Sequence, residues 1–348
     1  MAFKGICLSP ISIPTQAPLM SADPRFILDA ETPFRERMLR VARHQYGRAG
    51  TLQRFWQALG WPPDAAPKSE DWPPLLPVEA FREPLFDDLT EAPLVFRSSG
   101  TTGMQRSMHP VADPGLYRQA IFEAMRSFYP LQDFVILAYT PGYSENPDSS
   151  LIWMLRELIT AETSGLSRFL PLNTAIPPDD LRNIEASGKR LLLFGAAFGL
   201  IDLAERFPVQ LPQGTLIMET GGMKTHRREM SRDELHHKLA AAFGLPPAQV
   251  HSEYGMTELL SQAYADGSGW FRCPHWMQIS IRNPENPLLP VPPGGQGLIG
   301  IIDLANFHSC SFILTGDRGE MLPDGRFRVL GRYIPENLRG CNFLIDRD

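Results

Sequence analysis

Two patterns of apolar and polar positions divide the chain. Before about residue 90, apolar residues repeat at helical spacing between proline breaks. Phe34, Met38, Val41 and Ala42 share one face of the segment 33–44, and Leu52, Phe55, Trp56 and Leu59 share one face of a second segment that Thr51 would cap. From Leu94 onward short apolar runs alternate with amphipathic stretches. The runs predict strands at 94–96, 134–139, 190–194, 215–219 and 249–253, and the stretches predict helices at 115–129, 150–161, 179–186, 199–207 and 231–243. Such alternation points to an α/β fold, a mainly parallel sheet flanked by helices, with ligands expected at the carboxyl ends of its strands. Beyond the proline-rich stretch 284–293 helical periodicity stops, and 297–304, 311–314 and 326–330 read as strands joined by turns such as Pro323-Asp324-Gly325. Three units follow: a helical, proline-broken segment 1–90 packed on the core, an α/β core 91–283, and a small β-rich subdomain 284–348.

Composition narrows the classes. The 348 residues are 43% hydrophobic and 21% charged, which excludes a mainly disordered chain. Lys and Arg number 33 against 39 Asp and Glu, a net charge of −6 without a basic stripe, so nucleic acid is not an expected partner. No stretch approaches the roughly 18 apolar residues of a membrane span. Cys7, Cys273, Cys310 and Cys341 are widely spaced and no secretory leader opens the chain, so a reducing cytoplasm is expected.

Three segments carry candidate chemistry. Ser98-Ser99-Gly100-Thr101-Thr102-Gly103-Met104-Gln105-Arg106-Ser107 follows a predicted strand and precedes a predicted helix. Its glycines let backbone approach a ligand, its hydroxyls donate hydrogen bonds and its amides can form an anion-binding nest, as in a phosphate loop. It is not a Walker A motif, whose spacing and lysine are absent, and alone it also fits a surface turn. Tyr254-Gly255-Met256-Thr257-Glu258 ends a predicted strand with a ring that can stack on a purine and a carboxylate that can hold a phosphate-bound metal. Thr315-Gly316-Asp317 offers an aspartate for ribose hydroxyls, and Gly331-Arg332 follows it. Singly, each of the last two also reads as a turn or strand end. Cys273-x-His275 and His308-x-Cys310 do not have standard metal spacing, so zinc is not expected. His109 fits a hydrogen-bonded structural histidine better than a ligand contact. The run 191–199 fits either the floor of an acyl pocket or a buried strand and turn.

In this order and spacing, the segments resemble the adenylate-forming superfamily of acyl-CoA synthetases, adenylation domains and luciferases. Pro141-Gly142-Tyr143-Ser144-Glu145 with Ser149-Ser150-Leu151, Glu219-Thr220-Gly221-Gly222-Met223-Lys224 and Arg339-Gly340-Cys341-Asn342 narrow the likeness to the LuxE-type acyl-protein synthetases, relatives of phenylacetate-CoA ligases. The likeness covers about residues 20–348 and is vague over the first hundred.

The resemblance implies a two-step reaction: a carboxylic acid, fatty or aryl, is activated by ATP as an acyl-adenylate, and a thiol then takes the acyl group. It implies that Ser98, Ser99, Gly100, Thr101, Thr102 and Gly103 hold phosphates, that Thr257 contacts the α-phosphate, and that Glu258 binds Mg²⁺. Tyr254, beside Gly255, would stack on adenine, while Asp317 and Arg332 would hold the ribose and form the hinge. Arg106 stands where many members carry a lysine, and a planar guanidinium would clamp phosphate oxygens bidentately; Lys224 is a second candidate cation. Members usually continue past the G-R hinge into a mobile lid domain, whereas the sequence ends 16 residues after Arg332, so no lid is expected here. Cys341, which matches the acylated cysteine of the LuxE type, is then the expected acceptor, for delivery to an acyl-accepting partner such as a reductase or acyltransferase. Free CoA is the alternative acceptor, with Cys341 structural. A catalytically silent scaffold is a third reading, against which the joint presence of Glu258, Asp317 and Arg332 argues.

Overall fold

The computed structural model describes residues 23–61, 72–87, 89, 91–98, 106–140, 146–221 and 230–333. The amino-terminal part is helical as expected: α1 (Phe34–Tyr46) and α2 (Thr51–Ala58) precede the two-residue strand β1 (Leu76–Pro77). Thr51 is the first helical residue rather than the cap, a place taken by Gly50. Met38, Val41, Ala42, Leu52 and Trp56 are buried in the large core, with Trp56 5.0 Å from the ring of Phe312.

A hairpin follows, of β2 (Leu94–Arg97) and β3 (Met108–Val111), paired antiparallel and separate from the main sheet. The Ser/Thr/Gly loop therefore turns between two strands and does not run straight into a helix. Pro110 hides β3 from a reading of the sequence, yet a two-stranded ribbon has free edges on which a proline costs no ladder bond. Only then comes α3 (Pro114–Phe128), capped by Asp113, whose side chain accepts from the Leu116 amide.

The central α/β repeat runs β4 (Phe134–Tyr139), α4 (Ser150–Ala161), β5 (Arg168–Phe169), α5 (Pro178–Ala186), β6 (Arg190–Ala196), α6 (Ala197–Arg206), β7 (Leu216–Thr220), α7 (Arg232–Phe243) and β8 (Val250–Tyr254). These five strands pair parallel in the order β5-β4-β6-β7-β8. Every residue of β4 is buried. Phe134, Ile136 and Ala138 face one hydrophobic cluster while Val135, Leu137 and Tyr139 face another, as a parallel strand covered on both sides requires.

The sheet then changes character. The strands β9 (Ala263–Ala265), β10 (Phe271–Arg272), β11 (Met277–Arg282), β12 (Gln296–Asp303), β13 (Phe312–Met321) and β14 (Phe327–Arg332) add antiparallel in the order β9-β10-β14-β13-β12-β11, completing one 12-stranded sheet in which β1 lies parallel on β13. The sheet is thus half parallel and half antiparallel, not mainly parallel. It also runs across residue 284, since β11 and β12 pair along six residues on either side of that point. The T-G-D tripeptide lies inside β13, which continues well past residue 314. A bulge between Arg318 and Gly319 accommodates the extension, and a Cβ on Gly319 would stand 2.7 Å from Ile299 Cγ1. Among the described residues no helix is long and apolar enough to cross a membrane.

Candidate active site

The junction of the two halves of the sheet gathers the sequence-predicted residues. Tyr254 ends β8, the last parallel strand, and Glu258 follows four residues later; Asp317 and Arg332 face each other across β13 and β14. The Tyr254 hydroxyl donates to Asp317 Oδ2 at 2.9 Å, and Arg332 Nε lies 3.2 Å from Asp317 Oδ1. The Tyr254 ring, 9% exposed, packs edge-on against Phe271 and Phe327. Burial and the neighbouring carboxylate push its hydroxyl well above the ordinary tyrosine range. A Cβ on Gly255 would lie 2.5 Å from Glu253 Oε1 and would push that side chain aside.

Glu258 is the acid of the site. It is buried, and its carboxylate accepts from the Ser107 hydroxyl at 2.5 Å and from its own backbone amide. Desolvation raises its pKa; the Ser107 hydrogen bond opposes this, as does Arg332 at longer range, while Asp317 adds to the rise. Among the described residues no cation forms an ion pair with it. Among the described residues this buried carboxylate meets the Ser107 hydroxyl and its own amide and no counter-ion, a donor set that fits a divalent cation such as Mg²⁺.

Ser107 belongs to the hairpin that presents the Ser/Thr/Gly loop, and the base of that loop is pinned. The Ser98 amide donates to Ser107 O at 3.1 Å, the Ser107 amide donates to Ser98 Oγ at 3.0 Å, and Arg106 Nε donates to the Ser98 carbonyl. Ser98 and Arg106 are thereby tied to the loop's base, where Ser107 meets Glu258. Ser99, Gly100, Thr101, Thr102 and Gly103 lie outside the described residues, as do Lys224 and Cys341. Thr257 is placed by its backbone, its carbonyl accepting from His109.

His109 is buried, and burial lowers its pKa to about 4, so the ring is neutral. Asp303 and Asn306, which carry no signal in the sequence, also grip the segment after β8. Asp303 accepts from the Leu260 amide at 2.9 Å and the Ser261 hydroxyl at 2.6 Å, and Asn306 Nδ2 donates to the Glu258 carbonyl at 2.8 Å. Two cysteines, Cys273 and Cys310, lie among the described residues. Cys310 is buried, its thiol pushed up to about 12, and Cys273 is raised further, both by desolvation. Among the described residues no group of three His, Cys, Asp or Glu side chains is arranged to hold a metal ion. His275 Nδ1 sits 3.1 Å from Arg37 Nη1.

No family model matches the chain, and no curated protein matches it. Solved structures do. A 2-hydroxyisobutyryl-CoA ligase in complex with 2-HIB-AMP and CoA, in an open conformation, superposes with a TM-score of 0.60 at 15% identity, covering 90% of this chain and 74% of that one. The same ligase in its postadenylation state gives 0.61 at 16%, covering 86% and 67%. The O-succinylbenzoate coenzyme A synthetase MenE from Bacillus subtilis, in complex with AMP, is a looser likeness, at 0.47 and 20% over 70% of this chain and 50% of that one. The chain has the adenylate-forming fold.

Proposed function

We propose that the protein is an ATP-dependent, AMP-forming acid–thiol ligase of the acyl-protein synthetase type. The observation that carries this reading is the 2.5 Å contact between Ser107 and Glu258, which joins the hydroxyl-rich loop to a buried, cation-receptive carboxylate from 151 residues away. The fold, shared with ligases whose structures hold acyl-adenylate and CoA, supports the same chemistry.

In this reading a carboxylate, fatty or aryl, attacks the α-phosphorus of ATP. The bond to pyrophosphate breaks, and a thiol then attacks the acyl carbon and displaces AMP. Both reactants of the first step are anions, so the protein's work is alignment and charge stabilisation. Ser98 to Gly103 would hold the phosphates, with Arg106 and Lys224 as cations toward them and Thr257 toward the α-phosphate. Mg²⁺ on Glu258 would neutralise the leaving pyrophosphate. Asp317, held by Tyr254 and Arg332, would take the ribose hydroxyls, and adenine would lie on the part of the Tyr254 ring, beside Gly255, that Phe271 and Phe327 leave open.

Cys341 is the proposed acceptor, delivering its thioester to a protein partner in the cytoplasm. Cys310, buried, and Cys273, partly buried, both have thiols raised by desolvation, which disfavours attack. Free CoA is the second reading, favoured by the CoA held in the similar ligase. Intact-protein mass spectrometry after incubation with Mg-ATP and a panel of alkyl and aryl acids separates them. An acyl increment that hydroxylamine removes and Cys341→Ala lacks is expected. Acid-dependent pyrophosphate release without an increment would give the role to CoA, and no acid-dependent release would overturn the ligase reading.

A further inference from the structure

We propose that His109 and Asn306 are positioning residues for Glu258, fixing the two peptide planes that flank its Cα and thereby the place of its carboxylate. The inference rests on the reading of Glu258 as the cation ligand.

The peptide before the Glu258 Cα carries the Thr257 carbonyl, and the peptide after it carries the Glu258 carbonyl. With both planes held, φ and ψ of Glu258 are held as well, since these are the only soft backbone torsions between them. The Thr257 carbonyl lies 2.7 Å from His109 Nδ1, and the Glu258 carbonyl accepts from Asn306 Nδ2 at 2.8 Å. A carbonyl only accepts, so Nδ1 of the neutral ring carries the hydrogen. Nε2 must then accept from the Ser309 hydroxyl, 2.7 Å away, which locks the tautomer and the ring's orientation.

Asn306 is anchored in turn: its amide also donates to the Cys310 carbonyl at 2.9 Å, and Gln45 Nε2 donates to its own carbonyl at 2.8 Å. His109, Ser309 and Asn306 are all buried. Ser107 immediately precedes β3, which carries His109, and the Ser107 hydroxyl reaches the Glu258 carboxylate while the His109 ring reaches the Thr257 carbonyl. One edge of the hairpin thus grips Glu258 at its carboxylate and at the peptide before it, while the turn after β12 grips the peptide behind it. Neither His109 nor Asn306 needs to touch ATP or metal; supports of this kind set metal affinity through the ligand they orient.

The test compares affinity for MgATP with affinity for ATP in EDTA by calorimetry, for the wild type, His109→Leu, His109→Asn and Ser309→Ala, with unfolding midpoints in the same buffer. His109→Leu should bind MgATP ~10-fold more weakly and shift metal-free ATP less than twofold, on the scale of lost outer-shell support. His109→Asn, whose amide reaches the same carbonyl, should regain most of the loss, and Ser309→Ala should lose ~3-fold selectively. If His109→Leu does not fold, the pair His109→Asn and Ser309→Ala decides. Equal losses for both forms of ATP, or no loss in folded variants, overturn the inference alone. A wild type with no preference for MgATP overturns the cation reading of Glu258 and this inference with it.

Discussion

The end of β12 and the segment after β8 each bury a carboxylate, and they treat it in opposite ways. Asp303 accepts from the Leu260 amide, the Ser261 hydroxyl and the Ala305 amide, so its oxygens are occupied by the protein itself. Glu258 accepts from the Ser107 hydroxyl. Both are buried, and desolvation raises both pKa values, that of Asp303 to about 6. The difference is in what is left over. A carboxylate surrounded by donors is a brace that holds loops together, whereas Glu258, with no ion pair among the described residues, is the one the proposed function gives to a cation.

The largest effect that would break this contrast is at the brace. Asp303→Ala leaves the Leu260 and Ala305 amides without their acceptor, and about 4 kcal/mol of stability should be lost in denaturant unfolding with or without Mg²⁺. A loss under about 1 kcal/mol would show that Asp303 braces nothing.

Glu258→Gln should do the reverse. A neutral amide in place of a poorly solvated acid keeps or raises the unfolding midpoint, while Mg²⁺-dependent pyrophosphate release falls ~100-fold or more. Parallel losses of stability and activity would make Glu258 a second brace.

Glu253, in β8, sharpens the comparison through pH. It is buried, and desolvation raises its pKa from the ordinary 4.5 to about 7, the hydrogen bond from Thr220 opposing the rise and Glu219 adding to it. Between those values the folded state holds a proton that the unfolded state has lost, so this residue's contribution to stability is full below about 4.5 and declines as pH rises to about 7. Glu253→Gln should flatten that slope and stabilise the protein by about 2 kcal/mol at pH 8. An unchanged slope in the variant would remove Glu253 as its source. The smallest effect is expected for Tyr254→Phe, which deletes the hydrogen bond to Asp317; about 1 kcal/mol should be lost, with a modest rise in KM for ATP. An effect on kcat instead would place the hydroxyl in the chemical step.

The parallel half of the sheet was legible where its strands are apolar runs between amphipathic helices, and the expected bounds of β4 and α4 match the observed ones, whereas the two-residue β5, Arg-Phe, gave no such signal. The antiparallel half was less so. β9 and β10 are only 3 and 2 residues long, and β13 passes through Gly316 of a tripeptide that also reads as a turn; in the separate hairpin, β3 contains a proline. At the site, Tyr254, Glu258, Asp317 and Arg332 were legible as motif residues and the fold brings them together. Ser107 was visible only as the last residue of a quoted segment. Asp303 and Asn306 were not visible at all, because their importance lies in hydrogen bonds to backbone more than 40 residues away, and such bonds leave no periodic trace along a chain.

The central claim, that an acid is activated by ATP at the junction between the two halves of the sheet, is tested most directly by carboxylic-acid-dependent exchange of labelled pyrophosphate into ATP, run on the wild type and Glu258→Gln with and without Mg²⁺. Exchange should require both acid and Mg²⁺ in the wild type and be nearly absent in a well-folded Glu258→Gln. Exchange of equal rate in the two proteins, or none with any alkyl or aryl acid, would contradict it.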